Sequence, residues 1–106
     1  MHLRKLLEQL QSFGFTKTQA RLYLSGLMLR HTLMTQLART ANVRRTTAYY
    51  LMKELMRRGF FTTKRIGKRI YYIAAPPKRL LEMTKEREGL VKRLLPLLRR
   101  VARNID

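Results

Sequence analysis

The hydrophobic pattern of this chain changes its period at Gly59, and no other feature restricts the possible folds as strongly. Before Gly59, apolar residues recur at three- and four-residue steps, which is typical of short amphipathic helices. After it, two short runs at 60–65 and 69–73 are typical of strands, and a glycine turn at 66–68 separates them. The sequence therefore predicts several helices followed by a β-hairpin.

Start and stop residues define the predicted helices. Thr16 and Gln19 form a capping box, because the Thr16 hydroxyl can accept a backbone N–H while Gln19 reaches back. Thr32 is predicted to cap the third helix. The predicted helices are 3–12, 17–29, 34–40, 45–58 and, after Pro76-Pro77, 78–103. In the second helix, the inward stripe is predicted to be Ala20, Leu24, Leu27 and Met28, with Leu22 and Tyr23 flanking it.

A tight turn is predicted between the third and fourth helices. Asn42 stands where a left-handed residue is needed, and asparagine tolerates that conformation better than most residues. Gly59 is predicted to end the fourth helix. Two short helices joined by such a turn are typical of a helix-turn-helix, and the hairpin that follows is a wing. We predict a mainly α fold with a small β-hairpin: a winged helix-turn-helix domain at 1–75 and a C-terminal dimerisation helix at 76–106.

The charge of the chain indicates a polyanionic partner. Its 106 residues contain 24 Lys and Arg against 6 Asp and Glu, a net charge of +18. Residues 1–75 contain 15 basic and 2 acidic side chains, and residues 76–106 contain 9 and 4. Because self-repulsion at this charge opposes compaction, binding to nucleic acid is the economical explanation. The alternative is that the charge serves solubility alone.

Several function classes are not expected. No apolar run approaches the ~20 residues that span a membrane, and the N-terminus does not resemble a secretory signal. The chain has no cysteine, two histidines (His2 and His31) and no glycine-rich phosphate loop. No catalytic cluster, metal site or cofactor is therefore predicted, and the protein is not expected to be an enzyme. We expect a cytoplasmic protein associated with the nucleoid, with no small-molecule effector evident.

Five segments stand in a specific order, although each alone is weakly specific. They are 15–24 (FTKTQARLYL), 37–43 (LARTANV), 44–51 (RRTTAYYL), 55–60 (LMRRGF) and 71–77 (YYIAAPP). This order resembles the N-terminal domain of TrmB-type transcriptional regulators, an archaeal and bacterial sugar-regulator family, over roughly residues 13–80. The resemblance implies a dimer that binds operator DNA through the helix at 45–58 and the wing.

The chain departs from the family pattern in two ways. Longer members carry a C-terminal effector domain, whereas this chain ends after one helix, so sugar sensing is not expected to carry over. The family often has glycine at the turn and proline after the following valine. Here those positions hold Asn42 and Arg44. Asn42 keeps the turn geometry feasible, and Arg44 adds a cation beside the helix N-terminus.

The outer face of the 45–58 helix carries the predicted DNA-binding side chains. They are Arg44, Arg45, Thr46, Thr47, Tyr49, Tyr50, Lys53 and Arg57. Arg45 can bond guanine through two hydrogen bonds, and the hydroxyls of Thr46 and Thr47 suit bases or phosphates. Lys53 and Arg57 are better suited to contact the DNA backbone. Of the two tyrosines, one is expected to pack against the neighbouring helix and the other to meet DNA. Helix capping on an ordinary surface is the alternative for Arg45 and Thr46.

Four cations, Lys64, Arg65, Lys68 and Arg69, bracket the predicted wing tip. They can lie across phosphates or enter the adjacent minor groove, whose negative potential favours arginine. Alternatively, the charges only prevent edge-to-edge pairing of a solvated hairpin. We favour DNA contact, because no acidic residue lies nearby in the sequence to balance them.

The last helix contains a short coiled-coil seam at alternating three- and four-residue steps. Its residues are Val91, Leu94, Leu98, Val101 and Ile105. Pro96 lies between seam positions and is expected to kink the helix, which favours a bent antiparallel or intertwined pair of helices. The alternative is a helix folded back on its own domain.

Three rival functions remain open at this point. Residues 90–105 are basic and amphipathic, as in a helix that lies on a membrane surface. The charge alone equally supports a non-specific architectural protein or an RNA-binding protein. The complete winged fold favours the prediction of a homodimer that binds double-stranded DNA in a sequence-specific manner.

Overall fold

A computed structural model describes residues 3–104 of the chain. The elements, in chain order, are α1 (Leu3–Phe13), α2 (Lys17–Leu29), β1 (His31–Thr32), α3 (Met34–Ala41), α4 (Arg45–Arg57), β2 (Phe61–Ile66), β3 (Arg69–Ala74) and α5 (Lys78–Arg103). The five predicted helices are present, each with bounds within one residue of those expected. Contacts divide the chain into two compact units, a winged unit that ends at Pro76 and a helix unit that begins at Pro77.

The predicted helix boundaries are confirmed by local hydrogen bonds. The backbone N–H of Gln19 donates to the Thr16 hydroxyl at 3.1 Å, and the Thr16 N–H donates to Oε1 of Gln19 at 3.0 Å. Asn42 adopts the left-handed conformation (φ 57°, ψ 49°) at the end of α3. Gly59 has φ 83° beyond α4, where the Phe60 N–H donates to the Leu55 carbonyl at 2.8 Å. Both ends are therefore Schellman-type stops that satisfy otherwise unpaired carbonyls.

The sheet has one strand more than the predicted hairpin. Strand order is β1-β3-β2, with both pairs antiparallel, and Thr32 lies opposite Tyr72. The prediction that Thr32 caps α3 was wrong, because Thr32 belongs to β1 and Leu33 is the N-cap. The wing hairpin is confirmed as β2 and β3, whose two-residue loop begins at Gly67 with φ 63°. A glycine in this first loop position matches the right-handed twist of the strands.

Aromatic side chains form the centre of the winged unit. The Phe60 ring lies 4.6 Å from the Phe15 ring and 5.6 Å from the Tyr23 ring, measured between centroids. These three residues are buried, as is Phe61. Burial raises the pKa of Tyr23, whose hydroxyl donates to the Ala75 carbonyl at 2.8 Å. This bond fixes the end of β3 against α2.

The predicted inward stripe of α2 was partly wrong. The buried residues of α2 are Gln19, Ala20, Leu22, Tyr23, Ser25 and Gly26. Leu22 and Tyr23, predicted to flank the stripe, are fully buried, whereas Met28 is 57% exposed. The reason is that α2 packs against α1, α3, α4 and β3, so that its buried surface is wider than one amphipathic stripe.

Replacing Gly26 by alanine is expected to destabilise the winged unit. A Cβ at this position would lie 2.7 Å from Cε1 and Cζ of Phe61, a ring that is itself buried. Overpacking of this kind costs ~1–3 kcal/mol, against the ~1 kcal/mol that alanine gains over glycine within a helix. We expect the melting temperature, followed by circular dichroism, to fall for Gly26→Ala.

Gly89 in α5 provides the matched control, since its added Cβ would meet only the Arg93 side-chain end at 3.5 Å. The melting temperature of Gly89→Ala is expected to be unchanged or higher. If the melting temperature rose equally in Gly26→Ala and Gly89→Ala, the result would contradict the close approach of α2 to the sheet.

Candidate nucleic-acid interface

One face of α4 is exposed along its whole length. Ala48, Met52 and Leu55 are buried and hold the helix against the core, as predicted, while Leu51 is half-buried. The opposite face exposes Arg45, Thr46, Thr47, Tyr49, Tyr50, Lys53 and Arg57, and Arg44 is the exposed N-cap residue. The aromatic side chains on this face are 48% (Tyr49) and 74% (Tyr50) exposed. Large exposed aromatics beside cations are unusual for a surface without a partner.

The N-terminus of α4 has no side-chain cap. Arg44 is in an extended conformation and makes no capping hydrogen bond to the first turn. No acidic residue lies in that turn. Its free N–H groups, its positive helix dipole and two arginines are therefore all presented at one end of the helix, an arrangement that suits a phosphate.

Arg57 differs from the other cations of α4, because Glu54 holds it. Its Nε donates to Oε2 of Glu54 at 2.9 Å. This hydrogen bond, with the attraction of Arg57 and Arg58, lowers the pKa of Glu54, and the same pair raises the pKa of Arg57. Its charge is balanced locally, so it is the least available of the predicted α4 contacts.

The wing presents its four cations to solvent. Lys64 and Arg65 lie near the end of β2, and Lys68 and Arg69 lie at the turn and the start of β3, all of them exposed. The Nε of Arg65 donates to the Gly67 carbonyl at 3.3 Å, which directs this guanidinium toward the tip. Within residues 3–104, none of the four forms an ion pair with a carboxylate.

A cleft of about 460 Å³ joins α3, α4 and the wing. Its lining residues are Leu33, Met34, Thr35, Tyr49, Lys68, Arg69, Ile70 and Tyr72. The fold thus brings three predicted site residues together, one from α4 and two from the wing. The cleft is largely apolar, and its groups that can contact a phosphate backbone are the cations of Lys68 and Arg69 and the hydroxyls of Thr35, Tyr49 and Tyr72.

Two polar residues of the cleft were missed by sequence reasoning. Thr35 is exposed in the first turn of α3, and Tyr72 faces the cleft from β3. Burial raises the pKa of Tyr72, with a contribution from nearby Tyr49. The position of Thr35 at a helix start was a usable signal, whereas that of Tyr72 depends on the register of β3.

The helix unit carries a wide apolar face. Leu90, Val91, Leu94, Leu95, Leu97, Leu98 and Val101 are all 36–58% exposed. The four predicted seam residues within the described part of the chain lie on this face, and Ile105 lies outside the described residues. The helix continues through Pro96, which falls on the opposite, polar side with Arg99, Arg100 and Arg103.

The winged unit contains the segments that define a known family. The model of the family "Sugar-specific transcriptional regulator TrmB" matches residues 10–78, about two thirds of the chain. The chain belongs to the TrmB family. This membership supports a DNA-binding regulator, and the family consists of transcriptional regulators rather than enzymes. No individual curated protein sequence matches the TrmB-family chain significantly.

Two solved structures share the fold. The chain is similar to TrmBL2, described as an archaeal chromatin protein with a novel mode of DNA binding (TM-score 0.83, 23% identity). The match covers 96% of this chain but spans only 39% of the TrmBL2 chain. AntR, an antimony-specific transcriptional repressor, matches with a TM-score of 0.55 and 18% identity over 88% of this chain and 83% of its own. Both structural matches support the winged helix-turn-helix fold of this TrmB-family chain.

Across residues 3–104, no helix is long and apolar enough to cross a membrane. The same part of the chain contains no group of three or more side chains arranged to hold a metal ion.

Proposed function

We propose that this TrmB-family chain is a sequence-specific transcriptional regulator that binds double-stranded DNA as a homodimer. One observation carries the proposal: a single cleft is lined by Tyr49 of α4 and by Lys68 and Arg69 of the wing. An α-helix fits the major groove, and a hairpin beside it reaches the adjacent minor groove or backbone. The protein would therefore act on the nucleoid.

The residues of α4 divide into two roles by their position. N-terminal residues of a recognition helix reach base edges. We assign base contacts to Arg44, Arg45, Thr46 and Thr47, all exposed at that end. We assign Tyr50, the more exposed of the two tyrosines of α4, to a contact with a phosphate or a thymine methyl group. Lys53 and Arg57 lie further along the helix and are assigned to the backbone.

The wing is assigned to the minor groove or its phosphates. Lys64, Arg65, Lys68 and Arg69 carry four positive charges around one turn, and none is neutralised within the described chain. Each cation that neutralises a phosphate releases a counterion, so binding should weaken steeply as salt rises.

The homodimer is assigned to α5, on the seam residues Val91, Leu94, Leu98 and Val101. Charge favours an antiparallel pair of helices. Residues 78–89 carry four basic and three acidic side chains, whereas residues 90–103 carry five basic and no acidic ones. Parallel pairing would set the two purely cationic halves against each other, and like charges held close together repel. Antiparallel pairing sets each cationic half against the mixed half of the partner.

A single cysteine distinguishes the two orientations, since the chain has none of its own. In an antiparallel dimer, the two copies of Val101→Cys lie far apart, so the protein should sediment as a dimer without forming a disulfide under mild oxidation. Complete disulfide cross-linking would show parallel pairing. Sedimentation as a monomer would contradict the dimer.

A non-specific architectural role is the second candidate, and one observation favours it. The cations extend over both units, with nine basic side chains in residues 76–106 besides fifteen in residues 1–75. Charge spread in this way binds DNA of any sequence, because the phosphate contacts carry no sequence information.

Selection from genomic DNA separates the two candidates. Fragmented DNA is incubated with the protein at physiological salt, and the bound fraction is sequenced. A regulator enriches a two-fold symmetric site with half-sites ~10 base pairs apart, or a multiple of this spacing. Uniform recovery of fragments would contradict sequence-specific regulation and favour the architectural role.

A further inference from the structure

A recess between α1, α2 and α3 lies apart from the proposed DNA-binding residues. Its volume is about 200 Å³. The lining residues are Leu3, Leu7, Arg21, Leu24, Ser25, Met28, Thr40 and Ala41. Leu3 and Leu7 lie one turn apart on α1, and Leu24 and Met28 lie one turn apart on α2. These four side chains make the walls mostly apolar, and Leu3 (42%) and Met28 (57%) remain substantially exposed.

Ser25 is the buried polar group of this recess. The residue is only 3% exposed, and its hydroxyl makes no hydrogen bond within residues 3–104. Most serines in helices bond the carbonyl four residues earlier or water, and both Ser12 and Thr84 of this chain form that helical bond. The Ser25 hydroxyl opens onto the recess and is available to hydrogen-bond a polar atom of a molecule that enters it.

Arg21 supplies a cation at the same place. It lies one helical turn before Ser25, so that both side chains project from the same side of α2. Within the described chain, Arg21 forms no ion pair, and the neighbouring Thr40 hydroxyl makes no hydrogen bond. One guanidinium and two hydroxyls can together bind a carboxylate through charge-assisted hydrogen bonds.

We propose that this recess binds a small amphipathic carboxylate, an aliphatic or aromatic acid of about ten non-hydrogen atoms. A cavity of ~150 Å³ lined by apolar side chains accepts benzene, and the recess is slightly larger. The carboxylate would lie on Arg21, Ser25 and Thr40, and the apolar part against the leucines and Met28. A sugar, which presents hydroxyls on all sides, would leave most of them unpaired against these walls.

The position of the recess connects it to DNA binding, and this step rests on the proposed function. Thr40 and Ala41 directly precede Asn42, the left-handed residue that turns the chain into α4. An occupant that contacts these residues differently in the free and DNA-bound protein would change DNA affinity by about 5–150-fold, the usual range of such coupling. Affinity for DNA that is the same with and without a saturating ligand would overturn this regulatory role.

Binding itself is tested without DNA, so that its outcome does not depend on the proposed function. Methyl resonances of Leu7, Leu24 and Met28 are followed by NMR as hexanoate or benzoate is added. Hexanamide and benzamide are the neutral controls, and acetate tests for attraction of any anion to a protein of this charge. We expect saturable shifts with the two carboxylates and at least tenfold weaker binding of the amides and acetate.

Two variants locate the anion site. Arg21→Gln is expected to abolish the preference for carboxylate over amide, and Ser25→Ala to weaken hexanoate binding several-fold. Lys17→Gln on the same helix, whose residue does not line the recess, should retain both properties. Equal shifts with acetate and hexanoate, or an unchanged preference in Arg21→Gln, would overturn the proposal. The NMR spectrum of the backbone N–H groups shows in each case whether the variant protein is folded.

Discussion

Replacing Phe60 by alanine is expected to lower the free energy of unfolding by about 3–5 kcal/mol. The ring is 0% exposed and contacts Phe15 and Tyr23, and the Arg58 guanidinium lies 5.1 Å from its centroid. Removing the Phe60 ring leaves a cavity between Phe15, Tyr23 and Arg58. These side chains cannot fill the cavity unless α2 or the sheet moves. Because small domains are stable by only ~5–15 kcal/mol, urea denaturation should show a large fall in midpoint.

Tyr50→Ala is the matched control for this prediction. Tyr50 is also aromatic, but it is 74% exposed on α4, so its removal is expected to change the free energy of unfolding by less than about 0.5 kcal/mol. A loss below 1 kcal/mol for Phe60→Ala, or equal losses for both variants, would contradict an aromatic core centred on Phe60.

Replacing Arg45 by alanine is expected to reduce discrimination between the selected DNA site and unrelated DNA by about 5–150-fold. The reason is that one bidentate arginine–guanine contact contributes ~1–3 kcal/mol to the choice of base. Arg45 is exposed in the first turn of α4 and forms no ion pair within the described chain, so the fold should be unaffected. Fluorescence anisotropy with the two duplexes measures the ratio of dissociation constants.

Lys53→Ala provides the contrast on the same helix. If Lys53 contacts the DNA phosphate backbone, its replacement should weaken binding to both duplexes alike. It should also reduce the steepness of the plot of log affinity against log salt concentration by about one. If Arg45→Ala weakens both duplexes equally, Arg45 is a phosphate contact and the readout lies elsewhere on α4 or in the wing.

The sequence predicted the helices well because their boundaries are local. The capping box at Thr16 and the left-handed stops at Asn42 and Gly59 depend on residues a few positions apart, and all three are present in the structure. The wing was predictable for the same reason, since a two-residue loop with glycine determines the pairing of its strands.

Features that depend on distant residues were not predictable. β1 has two residues and exists only through pairing with β3, about forty positions further along the chain. The burial of Leu22 and Tyr23 results from packing of α2 on several sides, which one helical period cannot indicate. The cleft likewise depends on the register that turns Tyr72 toward Tyr49.

The central claim is that DNA meets the face formed by α4 and the wing. It is tested most directly by DNA cleavage from an iron chelate that is attached to a single introduced cysteine. The chain has no native cysteine that would also be labelled. Single cysteines are placed at Tyr50 in α4, Lys68 in the wing and Gln11 in α1, and each is labelled and bound to the selected duplex. The account predicts strong cleavage from Tyr50→Cys, cleavage of the neighbouring groove or backbone from Lys68→Cys, and background from Gln11→Cys. Cleavage as strong from Gln11→Cys as from Tyr50→Cys would contradict it.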